Sequence, residues 1–369
     1  MAIRISGIEG TIIDHPLRPE RLIRNYLGTQ DECRFLLVRM TDSDGCTGWG
    51  EAATVLLWSG ESAATGKWLV DEVFAKRLVG ATFDHPREVQ TELDRLTYGN
   101  PFTVSAVDTA FWDLWARRQG KSVAELIADR PPVASIPTRA SIGTYPAART
   151  GELAAAFWDD GIRTLKFKIG MTDTENIARM RVVRAALGDA PVFTVDANGA
   201  YATVDDAVRA VEAMLPFNIS LVEQPTPRER LSMMAEFRRR VDVPLMVDEG
   251  VFTPADLDEA LALEAFDVLA VYPGKNGGFT HALDMVRTAA AAGKTCAIGS
   301  NLETDLGQAA TATLAASLSA FPVEQVPGDL PAAVFYQHSS VKEPLALVNG
   351  RVRAPTGPGF GVEPQMTNA

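Results

Sequence analysis

The chain of 369 residues is 46% hydrophobic and 22% charged, with a mean hydropathy of +0.01. That composition fills a large core and excludes a disordered, fibrous or single small-module protein. Its 35 basic and 47 acidic residues leave a net charge of -12, which repels phosphate backbones and anionic membranes, so neither a nucleic-acid nor a membrane partner is expected. Cys33, Cys46 and Cys296 form no CxxC or Cys/His pair, which argues against a disulfide framework or zinc site and for a reducing cytoplasm. The start MAIRISGIEG carries no secretory pattern.

Alternating apolar residues predict strands in RISGIEGTIIDH and CRFLLVRMT, a turn at Asp42-Ser43-Asp44-Gly45, and a further strand at GWGEA. Residues 14–30 and 54–61 break this meander with Pro, Gly and polar residues and are candidate flaps over a site. The pattern then turns helical, with helices predicted over 63–78, 86–96, 104–118 and 123–128. A meander followed by helices makes residues 1–130 an α+β unit.

From residue 131 to 339, short apolar runs alternate with amphipathic helices: IPTRASIG, LKFKIG, VFTVDANG, ISLVEQP, PLMVDEG, VLAVYPGK, TCAIGSN and FPVEQVPG. Near-continuous apolar strands separated by single helices argue for a parallel sheet buried on both faces, and eight of them fit a closed (β/α) barrel. The polar residues that end six of these strands are Lys168, Asp196, Glu223, Asp248, Lys275 and Ser300, at intervals of 28, 27, 25, 27 and 25 residues. One βα unit separates each pair, and in a barrel all six converge on the mouth where such folds build their active sites. An open doubly wound sheet, which would lay them along a line, is the alternative. The uncharged run 306–323, with Gln308 and Pro322, reads as a buried helix rather than a membrane span. The segment PLALVNGRVRAP carries an Asn349-Gly350 hairpin signal and is expected to pack back on the amino-terminal unit, so that residues from about 340 to 369 complete it.

Asp196, Glu223 and Asp248 end three consecutive strands, an arrangement suited to one hard divalent cation, Mg²⁺ first and Mn²⁺ second. A carboxylate alone at a strand end could simply cap the next helix; three at equivalent positions, flanked by lysines, favour a metal. Lys166 and Lys168 share a face, and the apolar Leu165, Phe167 and Ile169 assign that face to the barrel interior. Lys275 lies across the barrel from them. A metal-bound carboxylate substrate would have an acidified α-hydrogen, and opposed lysines could act as base and acid through an enediolate. Phosphate-loop and nucleophile-elbow patterns fail at Thr288 and Leu57, where a glycine is required.

Lys166-x-Lys168, Asp196-x-Asn198, Glu223-Gln224-Pro225, Asp248-Glu249 and Lys275 together resemble the enolase superfamily, specifically its muconate lactonizing enzyme subgroup. The resemblance spans essentially the whole chain. It implies a modified TIM barrel, (β/α)7β, over 131–339 under an α+β capping domain, and Mg²⁺ at the three carboxylates. It further implies Lys168 and Lys275 as base and acid on opposite faces, Lys166 as the residue that orients the carboxylate and tunes Lys168, and a homo-oligomer. Superfamily sites use a Lys or His base with Mg²⁺ stabilising the enediolate. The mandelate racemase subgroup uses a His-Asp pair; His15, His85, His281 and His338 end no barrel strand, so that subgroup is disfavoured. The reaction expected is an isomerisation of a small carboxylate, of the muconate cycloisomerase type. Racemisation or epimerisation of N-acylamino acids and other amino-acid derivatives, or dehydration of hydroxyproline-like acids, are the alternatives. A binding protein without catalysis is disfavoured because all six key residues are present.

Candidates for contact with the distal end of the substrate are Arg21, Arg24 and Tyr26 on the first flap and Trp58 on the second. Asn198, Glu249, Asn301, Glu303, Asp305 and Asp329 join them on the barrel side. The arginines suit a second carboxylate, and the acids with Trp58 suit an ammonium. Dipeptide epimerases of the subgroup carry a DxD motif at the eighth strand; Val326-Pro327-Gly328-Asp329-Leu330 has one acid, which argues against that activity.

Overall fold

A computed structural model describes residues 2–26, 28–30 and 33–365. The amino-terminal unit is an antiparallel sheet in the order Thr47–Ala52, Arg34–Asp42, Ile3–Asp14, Thr82–Phe83. A register shift between Ile5 and Gly7 changes the phase of the first strand, so Ile3 and Ile5 and then Ile8 all point inward. The helix Pro101–Arg118 lies directly on Thr47–Ala52. Its approach depends on two glycines: a Cβ on Gly48 would stand 2.3 Å from the Ala110 carbonyl oxygen, and one on Gly50 2.0 Å from that of Ala106. The predicted helix over 63–78 is continuous but contains a wider π turn at Val70–Phe74.

The second unit is the expected barrel. Its strands in chain order are Ser135–Ile142, Thr164–Lys168, Val192–Asp196, Ile219–Glu223, Leu245–Val247, Val268–Val271, Thr295–Ile298 and Gly328–Asp329. The first seven pair in parallel in that order, and the eighth pairs in parallel with the first through Thr138 and Arg139. Leu221, Met246, Val268, Ala270 and Ala297 fill the interior below the site, while helices cover the outside. The helix Asp305–Ser317 is buried from end to end, as its uncharged sequence predicts.

Four placements differ from the sequence reading. The sixth strand stops at Val271, so Lys275 sits four residues beyond it in a turn begun by Pro273, closed by hydrogen bonds from Asn276 N–H to Tyr272 O and from Gly278 N–H to Pro273 O. Ser300 likewise lies beyond the seventh strand. The eighth strand is only Gly328–Asp329, because the chain after Pro322 folds into a turn in which Gln325 and Val326 N–H both donate to the Pro322 carbonyl. The hairpin Leu347–Val348 with Arg351–Arg353 forms, with Asn349 and Gly350 at φ 50° and 72°, but it pairs antiparallel with Ser135, Ile136 and Pro137 of the first barrel strand rather than with the amino-terminal sheet. Only the chain beyond it returns to the cap, where Gly359 N–H donates to Lys121 O and Phe360 N–H to Asp113 Oδ1.

Candidate active site

Strand alternation turns Lys166 and Lys168 into the barrel, while Leu165, Phe167 and Ile169 pack outward in the layer under the helices. The ladder sets Lys168 beside Asp196 and Asp196 beside Glu223, so three neighbouring strands present charged groups at one level. Lys168 Nζ donates to Asp196 Oδ2 at 2.5 Å and to Asn198 Oδ1 at 2.9 Å. Lys166 Nζ lies 2.7 Å from Glu223 Oε1, 2.9 Å from Asp196 Oδ2 and 3.2 Å from Asp329 Oδ2. Beyond the carboxylates, Lys275 Nζ donates to Asp248 O and Ala270 O, both at 2.8 Å, and stands 3.1 Å from Asp248 Oδ1. Gln224, at φ 37°, ties the loops together: its Oε1 accepts from the N–H groups of Asp248 and Gly250, each at 3.1 Å.

Charge inside this cluster is tightly balanced. Burial raises the Asp196 pKa, but the ammonium groups of Lys166 and Lys168 outweigh it and hold the carboxyl well below its usual range. Burial and the neighbouring Asp196 charge push Glu223 upward. Burial and Arg139 lower Lys166, yet Asp196, Asp329 and Glu223 together keep it cationic.

Among the described residues, no group of three or more His, Cys, Asp or Glu side chains is placed so that it could hold a metal ion; lysine ammonium groups lie between the carboxylates instead. The donor set nevertheless fits a hard cation. Asp196, Glu223 and Asp248 bring buried oxygens from consecutive strands, and both carboxylate oxygens of buried Glu249 have no hydrogen-bond partner. Burial and the charges of Asp248 and Asp196 push Glu249 far above its normal range, a repulsion that a divalent ion relieves.

Two arginines that sequence reasoning passed over complete the site. Arg139, on the first strand and 1% exposed, donates through Nη2 to Asp329 Oδ2 at 2.6 Å and Glu223 Oε2 at 2.9 Å. Its signal was a cation in the middle of the apolar run IPTRASIG, inward by alternation with Ser141. Arg179, on the helix Asp173–Leu187, is equally buried and donates to Lys168 O at 2.6 Å, Gly143 O at 2.5 Å, Ile142 O at 3.2 Å and Thr150 Oγ1 at 3.3 Å. No sequence spacing pointed to it, because most of its partners are backbone carbonyls.

A cavity of about 500 Å³ opens above the cluster, between Lys166, Lys168, Asp248 and Asp329 below and both predicted flaps above. The first flap is a small hairpin, Ile23–Asn25 with Gly28–Gln30, and the second carries the short helix Leu56–Ser59. Of the distal candidates, Trp58, Asn198, Asn301 and Asp329 line the cavity, whereas Tyr26, Glu249 and Glu303 are not among its lining residues. Several are already engaged. Trp58 Nε1 donates to the Tyr272 hydroxyl at 3.1 Å, Asn301 Nδ2 to Ala53 O at 2.6 Å, and Glu303 accepts from Ser300 Oγ at 2.5 Å and Asn301 N at 3.0 Å. Arg21 pairs with Asp160 at 2.7 Å, Arg24 stacks 5.0 Å over the Tyr145 ring, and Asp305 accepts from Ser339 Oγ at 2.8 Å. These three hold the flap and the helix ends and do not reach the cavity.

Cap, barrel and a lysine-carboxylate cluster at the strand ends make up the architecture of a barrel enzyme with its site at the C-terminal mouth. Comparison with known proteins agrees. Residues 8–128 match the mandelate racemase / muconate lactonizing enzyme N-terminal domain, and residues 149–368 match the enolase C-terminal domain-like family. Muconate cycloisomerase 1 of Rhodococcus opacus is 31% identical, with 99% of this chain and 97% of that protein covered. The N-succinylamino acid racemase of an Amycolatopsis species is 30% identical over 98% of this chain and 95% of its own. The L-Ala-D/L-Glu epimerase of Bacillus subtilis superimposes with a TM-score of 0.91 at 27% identity, covering 97% of this chain and 98% of the other. The chain belongs to the enolase superfamily, in its muconate lactonizing enzyme subgroup, and is an isomerase. Among the described residues no helix is long and apolar enough to cross a membrane.

Proposed function

We propose that this isomerase transfers a proton at the carbon next to a substrate carboxylate, with Lys168 and Lys275 on opposite sides of the reacting carbon. The observation that carries the reading is the pair of lysines flanking one row of carboxylates, Lys168 on the second strand and Lys275 after the sixth. A Mg²⁺ ion held by Asp196, Glu223 and Asp248, for which Mn²⁺ could substitute, would supply Lewis-acid stabilisation of the substrate oxygens. Lys166, beside Asp196 and Glu223, orients the substrate carboxylate. In its neutral form one lysine takes the α-proton; the electron pair of the broken C–H bond passes into the carboxyl group as an enediolate, and a lysine ammonium returns a proton to the same carbon. Delivery from the opposite lysine inverts the centre, which supports a racemase or epimerase. In the cycloisomerase reading, supported by the 31% identical relative, a carboxylate oxygen closes on a double bond and one lysine protonates the resulting carbanion.

The test is solvent deuterium incorporation at the α-carbon with Mg²⁺, using cis,cis-muconate, N-acylamino acids, dipeptides and hydroxyproline-like acids. Lys168→Ala is expected to abolish exchange from one face and Lys275→Ala from the other. Either variant retaining both exchanges at wild-type rate would defeat the two-lysine assignment. Glu223→Gln is expected to weaken Mg²⁺ binding at least ten-fold in calorimetry; unchanged affinity would remove Glu223 from the ligand set.

A further inference from the structure

Resting on that reading, we infer that the substrate is a mono-carboxylate whose distal half is uncharged and apolar. Every ionised side chain that lines the cavity among the described residues is matched within the protein. On the barrel side, Arg139, Lys166, Lys168 and Asp329 belong to one ion cluster with Asp196 and Glu223, and Asp248 is paired separately with Lys275. Asp329, the candidate for an ammonium, is held by Arg139 at 2.6 Å and Lys166 at 3.2 Å, so its charge is spent below the cavity. On the flap side, Glu61 is turned away to cap the helix Pro101–Arg118, accepting from Thr103 N at 2.8 Å and Phe102 N at 3.1 Å. Arg34 pairs with Asp14 at 2.9 Å on the exposed rim.

The surface left for the distal half carries no unmatched charge: apolar Ile23, Leu56, Leu57, Leu330 and Phe335 share it with neutral polar groups such as Asn25, Thr29, Thr54 and Ser141. Leu56 and Leu57 are 65% and 68% exposed on the second flap, above the cavity. Two adjacent leucines open to solvent over a cavity are apolar surface that a bound tail would cover. A second carboxylate or an ammonium placed there would lose water without gaining an unpaired counter-charge. An amide or ether oxygen in the chain would be met by these neutral polar groups.

Three acids with one reacting centre test this: N-acetyl-, N-succinyl- and L-alanyl-L-phenylalanine, which differ in a neutral, anionic or cationic tail. With Mg²⁺ in deuterated water, exchange at the phenylalanine α-carbon is expected to have a kcat/KM at least ten-fold higher for the acetyl compound than for either other. Leu57→Arg is expected to cut that preference over the succinyl compound at least five-fold while leaving Mg²⁺ affinity unchanged. Equal or faster exchange of the succinyl or alanyl compound, or an unaltered preference in Leu57→Arg, overturns the inference and leaves the proton-transfer reading standing. No exchange from these three with exchange or lactone formation from muconate does the same. No reaction with any of the four while a hydroxyproline-like acid exchanges also overturns the inference alone, and no exchange from any of these acids overturns both.

Discussion

Arg179 takes a charge into the protein and spends every hydrogen bond on a neutral acceptor, and burial lowers its pKa to about 10. Such a residue is costly unless it fixes something. What it fixes is the backbone of Lys168 itself and the end of the first strand, where Thr144 N–H donates to Arg24 O of the flap at 2.9 Å and Gly143 has no room for a Cβ against Arg24. Arg179→Met is therefore expected to lower kcat about 10²-fold with KM changed less than about three-fold, and Arg179→Lys to fall between. Unaltered kcat in the folded Met variant would reduce Arg179 to a strand-end cap. The contrast with Lys166 and Lys168 explains what could be read in advance. Side chains that meet side chains leave a spacing in the sequence, i and i+2 on a strand or one βα unit apart. A side chain that meets carbonyls leaves none, and Arg139 left only a cation in an apolar run.

At the scale of elements, strands and helices were legible where periodicity and punctuation agreed, as in LKFKIG and the helix Pro86–Leu96. They were less so where proline and glycine took over: Lys275 falls in a turn rather than on its strand, and the eighth strand shrinks to two residues. That short strand still closes the barrel. A Cβ on Gly328 would stand 2.5 Å from Ile298 Cβ and 2.8 Å from both Ile298 N and O, so the seventh and eighth strands meet only because residue 328 has no side chain. Gly328→Ala is expected to destabilise the fold by about 1–3 kcal/mol through overpacking, read as a lower urea midpoint. Because Asp329 follows immediately and accepts from Arg139 and Lys166, the same variant should also lower turnover. A wild-type midpoint would mean the closure is looser than these distances describe. The hairpin after it was legible as a hairpin from Asn349-Gly350, but its partner was not, since a turn signal specifies which strands join and says nothing of the edge they pair with.

Across the whole molecule, the cap is seated on the barrel by buried carboxylates that reach from one unit into helix ends of the other. Glu51, on the strand Thr47–Ala52, accepts from Thr304 N at 2.8 Å and Gly307 N at 3.2 Å at the start of the helix Asp305–Ser317. Asp108, on the helix Pro101–Arg118, accepts from Thr280 N at 2.9 Å and Oγ1 at 2.8 Å at the start of the helix Phe279–Ala291. These contacts hold the flaps over the cavity, since both flaps belong to the cap. Burial raises each carboxyl to about 7, against the opposing pull of its hydrogen bonds. The sign of the consequence follows from proton counting. An acid whose folded pKa lies above its unfolded value binds more protons in the native state, so its contribution to stability falls as pH rises from about 4 towards 7 and stays low above that. Glu51→Gln and Asp108→Asn cannot titrate, so each is expected to flatten the decline of Tm between pH 5 and pH 7 by roughly 2–4 °C. The two sites lie on separate helices, and their effects should add in the double variant. Calorimetric Tm values at pH 5, 6 and 7 decide it: a slope identical to wild type in both single variants would show that these carboxyls stay ionised across the range.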